Sequence, residues 1–483
     1  MFYSNENNQL IIEKSISKLL KQMRDIPDWN EAYIQKTLFS GFWSYPETLF
    51  ETAFKGIYRI PLGHQLNLNK KNKPIIERAW HLNSPEIEID HYSFQDACSE
   101  FKNKIKKAIQ SSLSKDSIAI ELSGGLDSSA VTAFTRELLP HETLTTFSNG
   151  APTKLPVWFS KLNKEEQRYC KTYFFDESKQ SQSVSRFLNT QSHFNDSGYH
   201  FHETLEQYSE ILAGFSEVLF PILNHQTYET AQRLGIKTLL SGFGGDEVVS
   251  QHAKSFLQEL HQQKKYTRYY YENLRLHKGK NILRRLSPKL KSQTNFWGQA
   301  TSHYDYLYIP ENFQIQKART LNSIKDKEYA LIEGALSTHW QRRIETSKII
   351  AEHYNINYAF PLADPKLMQF FHQLPSHFKF RHGKGRYLMR RSLEGMLPKS
   401  IIWRYSKYGA TAPAAWLNLV DSLPELFLSR IKANHQGLMA NYVNIPKIIA
   451  HLEKKPILNS NLLRVCIAVL MFSHFEHYLK SGS

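Results

Sequence analysis

Cysteine is scarce in this chain. Among 483 residues there are three, Cys98, Cys170 and Cys466, and they lie far apart. Because no two form a C-x-x-C pair, the sequence predicts neither a disulfide framework nor a cysteine zinc site. A reducing, cytoplasmic environment is the expected compartment.

Long apolar runs and targeting segments are also missing. The sequence contains no uninterrupted apolar stretch of bilayer length, so no membrane span or membrane partner is expected. Residues 1–6 lack the basic-then-apolar pattern of a secretory signal. A hydrophobic fraction of 41% and a mean hydropathy of −0.48 are typical of soluble globular chains. The length predicts two or three domains.

Acidic residues are outnumbered, 45 against 61 basic ones, which leaves a formal charge of +16. Such an excess is compatible with a nucleic acid, a membrane surface or an acidic substrate. Part of it lies in residues 261–292, where lysine and arginine are interleaved with Tyr269–Tyr271. This segment could bind nucleic acid or a flexible peptide, or it could be a solvated helical insertion. Its role stays open.

Two common nucleotide motifs are absent, but a different glycine loop is present. Residues 122–129, LSGGLDSS, have neither the Walker lysine nor G-x-G-x-x-G spacing. They follow a predicted strand and precede a predicted helix, so the helix N-terminus would offer N–H donors to a phosphate. Asp127 adds a carboxylate able to hold Mg²⁺. The alternative is an ordinary glycine turn capped by Asp and Ser.

A second glycine loop, Ser241–Glu247, follows the predicted strand 236–240. Strand and helix patterns alternate between the two loops, which predicts an α/β fold with a parallel sheet and helices on both faces. Helical periodicity dominates from about residue 253. Since ligands of such sheets bind at the carboxyl ends of the strands, Asp127 and Asp246 are expected to face one phosphate chain and to share Mg²⁺.

Upstream of the first loop, helical spacing predicts an amphipathic helix over residues 10–25. Short apolar runs within residues 46–68 predict strands and turns. Apolar residues from Phe94 to Ile109 recur at three and four positions and predict a helix. We place a domain boundary near residue 90, which divides the chain into domains 1–90 and 91–483.

These motifs carry a family resemblance. Ser123–Ser129 resembles the pyrophosphate loop of the N-type ATP pyrophosphatases, and Ser241–Glu247 resembles the second signature of the class B asparagine synthetase synthase domain. Further segments are similar to that family and occur in its order: Phe360–Pro365, Leu374–Pro375, Arg386–Arg390, Leu397–Pro398 and Trp403–Gly409. The similarity covers roughly residues 93–420. It implies an adenine nucleotide α-hydrolase-like synthase domain with a helical C-terminal part.

The resemblance implies a two-stage reaction. A substrate carboxylate attacks the α-phosphate of ATP to give an acyl-adenylate and Mg²⁺-bound pyrophosphate, and an amine then attacks the acyl carbon. The residues that resemble the family's ATP-binding set are Leu122, Ser123, Gly124, Gly125, Asp127, Ser128, Ser129, Asn149, Ser241, Gly242 and Gly244. Asp127 and Asp246 match the Mg²⁺ ligands. Lys407 resembles the catalytic lysine, and Arg386, a second catalytic candidate, stands where the family usually has lysine.

The departures concern the second stage. Phe243 stands where relatives carry glutamate or tyrosine, and Asn357 aligns with a family glutamate, so the expected base is missing. Phe2 stands where glutamine-dependent members have their catalytic cysteine. The 122 residues before Ser123 are about half an amidotransferase domain, and Phe54–His64 is similar to its last part. Residues 1–90 therefore resemble a truncated, degenerate amidotransferase domain that cannot draw ammonia from glutamine.

Without an ammonia source, the amine is expected to come from the same substrate molecule. Lasso peptide cyclases, which close a macrolactam between an N-terminal amine and an Asp or Glu side chain, are the preferred branch. Such a cyclase is expected to work with a leader-binding protein and a leader peptidase. The alternatives are a small-molecule amide or β-lactam-type synthetase, an asparagine synthetase-like ligase and, less favoured, a tRNA-binding ATP pyrophosphatase.

Overall fold

The computed structural model describes most of the chain. The described residues are 1–6, 9–39, 48–71, 73–82, 92–113, 117–150, 157–164, 167, 178–195, 201–250, 255–277, 303–310, 339–404, 413–432, 434–454 and 460–481. Their ten strands are β1 Phe2–Glu6, β2 Gln9–Glu13, β3 Ile57–Arg59, β4 His64–Leu68, β5 Pro74–Arg78, β6 Ile118–Glu121, β7 Thr145–Asn149, β8 Gln191–Asn195, β9 Thr238–Leu240 and β10 Asn357–Ala359.

The described residues contain eighteen α-helices, eight before residue 240 and ten after it. They are α1 Ile16–Leu20, α2 Glu31–Phe39, α3 Phe94–Gln110, α4 Leu126–Leu138, α5 Ser178–Leu188, α6 Phe201–Leu212, α7 Phe220–Leu223, α8 His225–Arg233, α9 Ser255–Gln262, α10 Tyr266–His277, α11 His339–His353, α12 Pro365–Gln373, α13 Ser376–Lys379, α14 Tyr387–Ser392, α15 Lys399–Ile402, α16 Pro413–Arg430, α17 Ile445–Leu452 and α18 Ser460–Ser481.

A five-stranded sheet organises the fold. Its spatial order is β10-β9-β6-β7-β8, and every neighbouring pair is parallel. Successive strand residues point to opposite faces, so Ala119 joins one apolar cluster and Ile120 the other. Helices cover both faces. The predicted α/β architecture with a helical C-terminal part is confirmed.

The N-terminal residues form antiparallel structure. Strands β1, β2 and β3 make one small sheet, and β4 pairs with β5 as a hairpin. The helix predicted over residues 10–25 is wrong in its first half, because residues 9–13 pair with β1 and only Ile16–Leu20 are helical. Pairing with a neighbouring strand here outweighs the helical spacing of the apolar residues. The predicted domain boundary lies within residues 83–91, outside the described residues, and stays a prediction.

The last helix is long and apolar enough to cross a membrane by length and composition alone. The candidate segment is Asn461–Ser481, with a mean hydropathy of 1.3, and 61% of its window is buried inside the fold. Arg464, His474 and Glu476 interrupt it, which is why the sequence shows no continuous apolar run. A core helix of a globular domain passes the same test, so the finding is weak evidence for a membrane span.

Candidate active site

The strand order of the sheet creates one switch point, where the connections that leave two neighbouring strands lead to opposite sides. From β6 the chain proceeds to β7 and β8 on one side, then returns to β9 on the other side of β6. Open α/β sheets bind ligands at such a switch point, outside the carboxyl ends of the strands. The two glycine loops begin at the ends of β6 and β9, which are paired neighbours. Their predicted adjacency is confirmed.

The first glycine loop is held by its own serines. Ser123 N donates to Ser128 Oγ at 3.1 Å, and the two hydroxyl oxygens lie 3.0 Å apart. Gly124 has φ +70°, and a Cβ there would come within 2.7 Å of Ser181 N, so both the backbone conformation and the space require glycine. Ser129 Oγ is buried and has no hydrogen-bond partner in the described part of the chain.

The second glycine loop packs directly on the first. A Cβ on Gly242 would lie 2.5 Å from Ser128 N, and one on Gly245 would overlap the carboxyl group of Asp127. Phe243 N donates to Ser241 Oγ at 3.2 Å, which closes the turn. From Gly245 the chain forms a single π-helical turn, a distortion often found at functional sites. Glycine is required here because the two loops share one space.

The close packing brings the two predicted metal ligands to one arginine. Arg386 Nη1 lies 3.1 Å from Asp127 Oδ2, and Nη2 contacts Asp246 Oδ1. Ser250 Oγ donates to the other oxygen of Asp127. The side chains of Asp127 and Arg386 are 13% and 12% exposed, whereas Asp246 is 52% exposed. A planar guanidinium has the fork geometry to join two carboxylates.

A second arginine reinforces the positive charge beside this pair. Arg390, one turn along α14, donates from Nε to Gly385 O at 3.0 Å and from Nη1 to the carbonyls of Ile402 and Arg404. Burial, together with the nearby charge of Arg386, lowers the pKa of Arg390 to about 10, against the opposing effect of Asp127. Its contacts fix α14 to the carboxyl end of α15 and to Arg404 just beyond it.

The turn before Arg386 rests on the basic, tyrosine-rich segment. Glu272 of α10 is buried and accepts from Gly383 N at 2.6 Å, and Tyr271 OH lies 3.3 Å from His382 Nδ1. Arg386 itself has φ +59°, outside the helical region, at the cap of α14. Part of the 261–292 segment thus supports the backbone that carries Arg386. Residues 278–292 lie outside the described residues.

The other predicted ATP-binding residues lie at the ends of β6, β7 and β9. Leu122 is fully buried, its N donates to Phe147 O at 2.7 Å, and its carbonyl accepts from Ser148 Oγ at 2.7 Å. Asn149 Oδ1 accepts from Asn195 Nδ2 at 3.2 Å. Gly244 has φ +98°. Lys407 lies outside the described residues, so its catalytic role stays a prediction.

Sequence reasoning missed a buried carboxylate beside the loops. Glu121, the last residue of β6, accepts from Tyr358 OH at 2.5 Å and from Asn224 Nδ2 at 2.6 Å. Burial raises its pKa, while hydrogen bonds from Tyr358, Ser241 and Asn224 oppose that rise. A glutamate inside an apolar strand pattern was the only available signal. Glu121 connects the two loops to β10.

Phe243 lies in an aromatic cluster where the resemblance placed a base. Its ring centroid is 5.6 Å from that of Trp340 and 6.0 Å from that of Phe360. The guanidinium carbon of Arg343 lies 3.8 Å from the Phe243 ring centroid and 3.9 Å from that of Phe220. Cation–π contacts of this kind hold a guanidinium in place. The cluster packs and positions a cation, and Phe243 exchanges no proton.

Asp127 and Asp246 fit an Mg²⁺ ion only when a phosphate supplies further oxygen ligands. No group of three or more His, Cys, Asp or Glu side chains in the described residues is placed to hold a metal ion. Two converging carboxylates are nevertheless what Mg²⁺ uses when phosphate oxygens and water complete its shell. The residues present therefore fit an Mg²⁺–nucleotide complex, in which Asp127 and Asp246 would be the protein ligands.

The fold and these loops define an α/β protein in which two glycine loops leave a parallel sheet at its switch point, the place where open α/β sheets bind ligands. Residues 100–474 match the family model described as asparagine synthase, and the chain belongs to that family. A comparison with curated proteins found no match. The family uses ATP to form amide bonds, which makes this chain an ATP-dependent ligase.

We expect Glu121 to make the stability of the fold depend on pH. Since burial raises its pKa in the folded state, its contribution is complete below the ordinary glutamate pKa and is lost as pH rises through the folded value. Glutamine does not ionise, so the Glu121→Gln variant does not lose this stability as the pH rises. We expect the melting temperature of the variant, minus that of the wild type, to increase between pH 5 and pH 8. Glu100→Gln on α3 controls for the change in net charge, and a difference that does not vary with pH would contradict the prediction.

Proposed function

We propose that this ligase activates a carboxylate of a peptide as an acyl-adenylate and joins it to an amine of the same peptide. The bond is a macrolactam between the N-terminal amine and an Asp or Glu side chain, as in a lasso peptide. The observation that carries the activation step is the convergence of Asp127, Asp246 and Arg386 at the switch point of the sheet.

Each of these groups has a physical role in the activation step. The first-loop backbone and the N-terminus of α4 offer N–H donors to the phosphates of ATP. Asp127 and Asp246 would hold Mg²⁺, which would supply positive charge beside the leaving pyrophosphate. Arg386, fixed by its turn, provides a permanent positive charge for the phosphate oxygens. Lys407 is proposed to stabilise the charge that builds on the α-phosphate.

Two features support the inference that the amine comes from the peptide itself: the state of the described cysteines, and the presence of Phe243. Burial raises the pKa of Cys98 and, more strongly, that of Cys466, so neither described cysteine is the reactive thiolate that glutamine hydrolysis requires. The aromatic cluster at Phe243 replaces the base that smaller substrates would use. An amine already tethered to the activated carboxylate benefits from proximity and needs less general-base help.

Product analysis tests the proposal directly. The protein is incubated with ATP, Mg²⁺ and peptides that carry an acidic residue several positions from a free N-terminus, together with leader-binding protein and leader peptidase when the peptide has a leader. We expect AMP and pyrophosphate, and a peptide lighter by one water. Acetylating the N-terminus should remove the water loss, and replacing the acidic residue by its amide should remove AMP formation.

Three results would favour other functions. Turnover of free aspartate with ammonia would indicate an asparagine synthetase-like ligase, and turnover of a small β-amino acid would indicate a β-lactam-type synthetase. Salt-sensitive RNA binding, with adenylation of RNA and no peptide product, would indicate a tRNA-directed enzyme. Each would contradict macrolactam closure. Cytoplasmic localisation is part of the proposal.

A further inference from the structure

The helix α10 is apolar and aromatic on one exposed side. Tyr266, Tyr270 and Leu274 are spaced at i, i+4 and i+8, so they lie along the same side of the helix. These residues are 46%, 63% and 52% exposed. A row of large apolar groups left in water is typical of a surface that binds a partner.

The next side of α10 is basic. Arg268, Tyr271 and Arg275 are spaced at i, i+3 and i+7, and all three are exposed. The guanidinium carbon of Arg275 lies 5.2 Å from the ring centroid of Tyr271. Glu272, the acidic residue of this helix, is buried and accepts from Gly383 N. The apolar row and the basic row together form the α10 surface.

Further positive charges gather at the start of α10. Lys265, Arg268 and Arg381 are exposed. Burial lowers the pKa of His377, and the charges of these three residues lower it further, so they lie close to its ring. Within the part of the chain that the structure describes, none of the three forms an ion pair. Like charges gathered in this way repel one another, and an anionic ligand would relieve that repulsion.

The α10 surface adjoins the turn that carries Arg386. A Cβ on Gly383 would lie 2.3 Å from the main chain of Arg275, so the turn rests directly on the helix. Arg381 and Lys384 exchange two main-chain hydrogen bonds of 3.0 Å, which places their Cα atoms about 5.5 Å apart. Two further residues add at most about 7 Å. The Cα atoms of Arg381 and Arg386 are therefore within about 13 Å, a distance that about four extended residues span.

We propose that the α10 surface binds a segment of the substrate peptide that is both acidic and apolar. The carboxylates of this segment pair with Lys265, Arg268 and Arg381, and its apolar side chains pack on Tyr270 and Leu274. The inference rests on the proposed function, because it names the feature by which that peptide is recognised beside the glycine loops. A peptide is favoured over a nucleic acid because the apolar row ends in leucine, which has no ring on which a base could stack.

Binding is measured without ATP, so that chemistry plays no part. The probe is a fluorescein-labelled, N-acetylated and C-amidated peptide of repeating Glu-Leu-Glu-Phe, compared with its Lys-Leu-Lys-Phe counterpart by fluorescence anisotropy. We expect tighter binding of the acidic peptide, and Arg268→Glu and Lys265→Glu should each weaken it about tenfold. Arg233→Glu makes the same charge change at an exposed position on α8 and should bind as the wild type does.

A peptide of repeating Glu-Ser separates charge from apolar contact. Tyr270→Ala should weaken binding of the Glu-Leu-Glu-Phe probe several-fold, because the ring no longer packs on its leucine and phenylalanine side chains. The same variant should bind the Glu-Ser peptide as the wild type does. Tyr58→Ala is the matched control, since this tyrosine is 44% exposed and lies on β3, and it should change neither affinity.

Three results would overturn the inference: equal binding of the acidic and basic peptides, an equal loss in Arg268→Glu, Lys265→Glu and Arg233→Glu, or an equal loss in Tyr270→Ala and Tyr58→Ala. Tighter binding of a labelled single-stranded RNA than of the acidic peptide, lost in Arg268→Glu and Lys265→Glu, would also overturn it and assign the surface to nucleic acid. Thermal melting checks that each variant is folded.

The two proposals fail separately. Water loss from a substrate peptide with no binding of the acidic probe would overturn the α10 surface as a binding site and leave macrolactam closure standing. Probe binding that depends on Lys265 and Arg268, with no AMP formation from any peptide, would do the reverse.

Discussion

Asp127→Asn is expected to lower AMP formation by about three orders of magnitude. An Mg²⁺ ion contributes several kcal/mol to charge stabilisation in such a reaction, and each 1.36 kcal/mol corresponds to a factor of ten in rate. Asp246→Asn should act in the same direction, because both carboxylates converge on Arg386. The measurement is pyrophosphate release or ATP–pyrophosphate exchange with a peptide substrate.

Asp96→Asn is the matched control, since Asp96 also lies in the first turn of a helix, α3, and outside the glycine loops. It should leave AMP formation near the wild-type rate. Asp127 also pairs with Arg386 and Ser250, so the folded state of its variant is checked by thermal melting. Retention of activity within a few-fold by a folded Asp127→Asn or Asp246→Asn protein would refute the two-carboxylate site.

Arg386→Met is expected to lower AMP formation by about 10²–10³-fold, the usual cost of removing one group that stabilises transition-state charge. It should also strengthen binding of Mg²⁺ alone, because the guanidinium that now joins Asp127 and Asp246 would no longer compete for them. Isothermal titration with Mg²⁺ and the pyrophosphate assay measure the two effects.

Arg386→Lys separates charge from geometry. Lysine keeps the positive charge but cannot join two carboxylates through one planar fork, so we expect partial recovery of AMP formation. Arg391→Met, on the exposed side of α14 beside Glu394, is the control and should affect neither measurement. Unchanged Mg²⁺ affinity in Arg386→Met would show that the arginine and the ion do not share the carboxylates.

The glycine loops could be predicted because their requirements are local. A strand, two glycines and a helix start are all encoded within a few residues, and the alternation of strands and helices implied a parallel sheet. The helix predicted over residues 10–25 failed for the opposite reason. Its apolar spacing suits a helix, but residues 9–13 pair with β1 and form a strand instead, a contact that spacing alone does not reveal.

By itself, the sequence determined the glycine loops, the α/β class and the residues that resemble those of an ATP-dependent ligase. Only the tertiary structure decided which charged groups meet. Arg386 reaches Asp127 across 259 residues of chain, and Tyr358 reaches Glu121 across 237. Such contacts depend on how distant elements pack, whereas turn chemistry and helix starts depend on neighbouring residues, and that difference explains what could be predicted.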